Sequence, residues 1–102
     1  MVETVSRKRI EILADTPLVR IVTKAIEESG ISGWTTIPVT SGRGREGRWV
    51  EERVTGADKS IVLAIAADDK AEALIDRLAP ILTSHGLLLT MATVEVVRGE
   101  RF

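Results

Sequence analysis

The feature that most constrains this chain is a gap. From Thr40 to Lys59 the apolar signal fails, which predicts one long loop or a flexible hairpin, and on either side stands the same succession of strand-like run, amphipathic stripe and second strand-like run. Before the gap, Arg9-Ile10-Glu11-Ile12-Leu13-Ala14 alternates polar and apolar residues before an apolar end, the period of a strand. Leu18, Ile21, Val22, Ala25 and Ile26 then recur at helical spacing and predict a helix with one buried face. Thr16-Pro17 predicts its N-cap followed by proline at the first helical position, where a missing N–H costs nothing, and Gly30 predicts its C-terminal cap. Trp34 to Val39 is rich in β-branched residues and predicts strand two, with Pro38 near an edge or strand end because proline lacks a ladder donor.

After the gap the pattern repeats. Ser60 to Ala66 is an apolar run of strand length, and Asp69 with Glu72 has the spacing of a capping box. Ala71, Leu74, Ile75, Leu78, Ile81 and Leu82 form the second helical stripe, which Pro80 must kink or shorten. Ser84-His85-Gly86 is a turn signal, and Leu87 to Val97 predicts strand four. The order β-α-β, long loop, β-α-β predicts an α+β chain of the ferredoxin-like βαββαβ type. Both helices then cover one face of a four-stranded antiparallel sheet, and the long loop joins strands two and three.

At 102 residues the chain has room for one core, so residues 1–102 are expected to form a single domain. Two helices on one face leave the opposite face of the sheet bare. With only 3% aromatic residues the chain has few large groups for its core, and further burial between copies is expected. The absence of Cys excludes disulfides, thiolate zinc sites and cysteine nucleophiles, and the single His85 excludes an intramolecular multi-histidine metal site. No nucleophile–base pair is evident, so an enzyme is not expected. Fourteen Lys and Arg against fifteen Asp and Glu give a net charge of −1, which supplies no global field toward nucleic acid or an anionic membrane. No apolar run approaches the roughly 20 residues that span a bilayer, and the first residues lack the apolar centre of a signal peptide, so a soluble cytoplasmic protein without membrane insertion is expected.

The gap holds the residues with most chemical promise. In Gly42-Arg43-Gly44-Arg45-Glu46-Gly47-Arg48 the glycines let backbone N–H groups turn toward an anion and the arginines add charge. The stretch fits neither the Walker pattern nor the dinucleotide fingerprint, and it reads either as a phosphate nest or as a solvated loop. Glu46, Glu51, Glu52 and Asp58 balance Arg43, Arg45, Arg48 and Arg53, which is the composition of a solvated segment; Arg45, at the loop base, is singled out as the phosphate candidate. Trp49 is an indole in a polar loop and predicts docking on a partner or folding back on its own subunit. Trp34 is assigned to the core or a subunit interface, His85 to a solvent-facing turn, and Asp68-Asp69 to helix capping rather than to a metal.

Taken together, these segments resemble the PII-like signalling proteins. Glu27-Glu28-Ser29-Gly30-Ile31-Ser32-Gly33-Trp34-Thr35 is similar to that family's acidic helix end, Gly-x-x-Gly turn and strand-two threonine, followed by the glycine-rich entry to a long T-loop. Ala64-Ile65-Ala66-Ala67-Asp68-Asp69 resembles its strand-three-to-helix junction. Val94-Glu95-Val96-Val97-Arg98-Gly99-Glu100-Arg101 resembles its closing strand and tail, one residue shorter. The resemblance implies a homotrimer that binds adenine nucleotides in the clefts between subunits and uses a T-loop at about residues 40–59 to engage a transporter, channel or enzyme. By position it implies Thr35 near the adenine, Gly42 and Gly44 against ribose and phosphates, Arg45 facing the phosphates, and Arg98 or Arg101 arriving from the C-terminal end. Arg48, Trp49 and Arg53 are then the partner-facing residues of the loop.

Two departures from the pattern sharpen this expectation. After helix two the chain has only Thr83-Ser84-His85-Gly86-Leu87, without the lysine that holds a triphosphate, which favours ADP or AMP over ATP. The chain has no Tyr, which rules out uridylylation of the loop and argues against nitrogen regulation. The pattern is more similar to the carbon-related branch associated with bicarbonate transport or carboxysomes, with bicarbonate as a co-ligand and a carbon-metabolism protein as partner. A competing reading is a nucleic-acid-binding module, suggested by the ferredoxin-like order and the glycine-arginine loop but opposed by the lack of stacking aromatics in strands one and three. A third is a scaffold oligomer without a ligand.

Overall fold

A computed structural model describes residues 2–44, 47–50 and 58–97. Alternating apolar residues do produce the first strand, but β1 (Thr4–Asp15) begins five residues before the expected Arg9. Its polar first half is held by the backbone ladder to the last strand, with Thr4 paired to Val97. Cross-strand polar contacts support it: Thr4 Oγ1 donates to Glu95 Oε1 at 2.9 Å, and Lys8 Nζ donates to Thr93 Oγ1 at 2.7 Å.

A one-turn 3₁₀ segment (Thr16–Leu18) leads into α1 (Val19–Glu28), then β2 (Thr35–Val39). Inside the gap a short ladder pairs β3 (Ser41–Gly44) with β4 (Gly47–Val50), so the described part of this segment is a hairpin. β5 (Lys59–Ala66), α2 (Asp68–Leu78), a 3₁₀ turn (Ala79–Ile81) and β6 (Leu88–Val97) complete the order. The main sheet runs β2-β5-β1-β6, antiparallel throughout, which is the expected ferredoxin-like arrangement. Pro38 lies in the edge strand β2, where its missing donor is tolerated.

Because directly paired residues share a face, the register sorts the sheet into two sides. The row Val62–Ile12–Leu89 faces the helices, where Val62 and Ile12 are buried beneath Val22 and Ile26 of α1 and Leu74 and Leu78 of α2. On the opposite face, Ile37, Ile61, Leu13 and Leu88 form an unbroken apolar row across all four strands. Ile37 and Leu88 are 41% and 58% exposed, so this row is open in the single chain.

Both helical units stop by the same glycine device. Gly30 has φ +84°, its N–H donates to Glu27 O and the N–H of Ile31 donates to Ile26 O. Gly86 has φ +62°, with the N–H of Gly86 to Thr83 O and that of Leu87 to Leu82 O. These are Schellman closures, which need a left-handed residue. Pro80 ends α2 as expected, converting its continuation into the 3₁₀ turn.

The N-terminal expectations fare differently. Asp15, not Thr16, occupies the N-cap position of the 3₁₀ turn and makes no side-chain cap bond. The capping box does not form: Ala67 is the N-cap of α2, with no side-chain cap bond, and Asp68 and Asp69 stand within the first turn. There their charges favour the positive end of the helix dipole without closing an N–H themselves.

Candidate functional site

The gap opens and closes at one rung of the main sheet. Val39 is the last partner of Lys59 in the β2–β5 ladder, and Asp15 is the last partner of Lys59 in the β1–β5 ladder. Three strands therefore end level, and the segment 40–58 departs from and returns to that level. The salt bridge from Lys59 Nζ to Asp15 Oδ1 spans 2.7 Å at this point. Beside it the hydroxyls of Thr16 and Ser60 are 2.9 Å apart, and the Thr16 N–H donates to Asp58 O at 3.0 Å. Ser60 is 3% exposed, so its hydroxyl is satisfied inside the protein by Thr16.

Beyond the rung, Gly42 and Gly44 lie in β3, with Gly42 paired to Trp49 and Gly44 to Gly47. Arg43, exposed on β3, stands opposite Arg48 in the ladder. The backbone of Arg48 and Trp49 thus belongs to β4, whereas Arg45, Arg53, Arg98 and Arg101 lie outside the described residues. Thr35 is the exposed first residue of β2, paired to Leu63. Four strand steps, roughly 13 Å, separate it from Val39, so Thr35 stands at the far end of β2 from the start of the loop.

Trp34 is 38% exposed and does not join the core, which leaves the interface half of its expected assignment. His85 sits in the turn closed by Gly86, half-buried, with Nδ1 2.9 Å from Ser84 Oγ. Among the described residues no group of three His, Asp or Glu could hold a metal, and no helix is long and apolar enough to cross a membrane. The contacts of Asp15, Thr16, Lys59 and Ser60 escape a reading of the sequence. Thr16 before Pro17 has the look of a helix cap, and only the three-dimensional register brings it and Asp15 against the return of the loop.

The sequence matches the family described as nitrogen regulatory protein P-II over residues 7–101. Among solved structures the chain is similar to CPII, a nitrogen regulatory PII-like protein from Thiomonas intermedia K12 bound to ADP, AMP and bicarbonate. That likeness has a TM-score of 0.90 at 18% identity and covers 100% of this chain and 98% of the other. It is also similar to a PII-like signaling protein of Thermus thermophilus, with a TM-score of 0.80, 23% identity and 98% of each chain covered. A more distant likeness is to GlnK of B. subtilis in complex with ATP, with a TM-score of 0.61, 8% identity, and 87% of this chain and 82% of that one covered. No curated protein sequence matches the chain.

Proposed function

The chain belongs to the P-II family, and from that premise we propose that it is a one-domain PII-like regulator, not a catalyst, whose ligands are ADP or AMP together with bicarbonate. The observation that supports this most is the likeness over the entire chain to CPII, the protein solved with ADP, AMP and bicarbonate. The missing lysine after α2 points the same way, since it weakens the hold on a third phosphate. The functional unit is a homotrimer. The apolar row Ile37–Ile61–Leu13–Leu88 supports it, because a row open on one copy is buried when such faces meet.

Assembly also resolves the spread of the candidate residues. A cleft is completed when a second copy brings Arg98 or Arg101 beside Thr35, Gly42 and Gly44, with Arg45 on the phosphates. Segment 40–59 then acts as the T-loop, presenting Arg48, Trp49 and Arg53 to a protein of inorganic carbon metabolism in the cytoplasm. Ligand occupancy controls that encounter through the differential affinity of the nucleotide for two loop states.

A thermal-shift series with AMP, ADP, ATP and cyclic AMP, each with and without bicarbonate, tests the ligand class. A ligand at a hundred times its Kd adds about 2.7 kcal/mol to the bound state. The expected result is a larger rise with ADP or AMP than with ATP, increased by bicarbonate. No shift with any nucleotide across a concentration series would remove the nucleotide site.

A further inference from the structure

Asp15, the last residue of β1, and Thr16, the first of the 3₁₀ turn, are bonded to three consecutive residues where segment 40–58 returns. Asp15 pairs with Lys59, the Thr16 N–H reaches Asp58 O, and the Thr16 hydroxyl meets that of Ser60. Asp15 stands where an aspartate ordinarily caps the next helix, yet it makes no cap bond there and its carboxylate is directed across the ladder to Lys59. Lys59 is in turn the rung partner of Val39, the last residue of β2 before the loop begins. We propose that Asp15 and Thr16 are positioning residues that anchor the return of the loop and, through the shared Val39–Lys59 rung, fix the place of its base at Ser41–Gly44.

The physical case rests on convergence. An exposed ion pair alone contributes little, because solvent screens it and two side chains must be immobilised. Here the pair is joined by a backbone bond and by a hydroxyl contact to Ser60, which is 3% exposed. The loop base therefore cannot shift along β5 without disturbing the β1–α1 junction, and the junction leads within four residues into α1, whose Val22 is fully buried. The loop is thus tied to the helical layer as well as to the neighbouring strand β2.

Hydrogen exchange on the full-length protein tests the anchor without any ligand. Asp15→Asn removes the charge and Thr16→Val the hydroxyl at nearly constant shape. Each is expected to speed amide exchange about two- to fivefold at Asp58–Ser60 and Ser41–Gly44, and the double variant more, with the β1–β6 ladder unchanged. Unchanged exchange at both segments in the double variant would overturn the proposal, as would an equal rise in the β1–β6 ladder, which would mark general loosening. A second arm rests on the nucleotide-sensor reading: the double variant should bind ADP more weakly than the wild type. If the wild type binds no adenine nucleotide, that reading fails while the exchange result still decides the anchor. If exchange rises but ADP affinity is unchanged, the anchor of the loop base stands and its extension to the nucleotide site is overturned.

Discussion

Arg9 Nη2 stands 2.8 Å from Glu11 Oε1 on the sheet face opposite the helices, where Glu11 is the next residue on that face before Leu13 of the apolar row. Both side chains are nearly half exposed in the single chain, where such a pair contributes little. In a trimer that buries this face the pair is desolvated, and removing one partner strands the other charge. Arg9→Met is therefore expected to weaken assembly, and Arg9→Met with Glu11→Leu to recover much of the loss. Sedimentation over a dilution series reads both. Equal assembly in wild type, single and double variants would place the pair outside the interface.

Leu63 lies on the same face, opposite Glu11 on one side and Thr35 on the other. Leu63→Glu sets a second carboxylate beside Glu11 and breaks the apolar surface, at little cost to the helix-covered core. The expected outcome is a folded single copy by light scattering, with helical circular dichroism retained. A trimer of undiminished stability would refute burial of this face.

How much of this is legible in the sequence follows from which forces act locally. The two helical stripes, the glycine stops and the edge position of Pro38 are local or periodic signals, and each appears where the sequence places it. The first half of β1 escapes such a reading because Thr4, Ser6 and Lys8 carry no apolar alternation; their strand exists through pairing to β6, more than eighty residues away. Thr16 reads as the cap of a helix because capping chemistry is local, while the partners of Asp15 and Thr16, Lys59 and Ser60, are brought in by register. Thr35 opens β2 of the main sheet while Gly42 and Gly44 lie in the separate β3–β4 ladder, a spread that no local signal of the sequence announces.

Gly30 tests the local part of the account. Its φ of +84° lies where a Cβ costs about 1–2 kcal/mol, and the nearest atoms to a built Cβ belong to the flexible Lys70 side chain at 3.7 Å, so the penalty is conformational rather than steric. Gly30→Ala should lower stability by about that amount in urea unfolding at fixed protein concentration. Gly33, where an added Cβ meets nothing within 4 Å, serves as the control and should change stability by less than about 0.5 kcal/mol. Equal effects at the two positions would deny the Schellman closure its role.

Arg45 and Arg53 separate the two jobs assigned to the loop. In the sequence Arg45 follows the β3 glycines directly and is the proposed phosphate partner, whereas Arg53 lies eight residues further along the segment. A charge-assisted contact to phosphate is worth about 1.5–3 kcal/mol, so Arg45→Ala should weaken ADP binding roughly ten- to a hundredfold in calorimetry while leaving the assembly intact. Arg53→Ala should leave ADP affinity within about twofold, because Arg53 is assigned to the protein partner rather than to the phosphates. Equal loss in both variants would make the effect one of general loop charge, and no loss in either would take the loop arginines out of the nucleotide site.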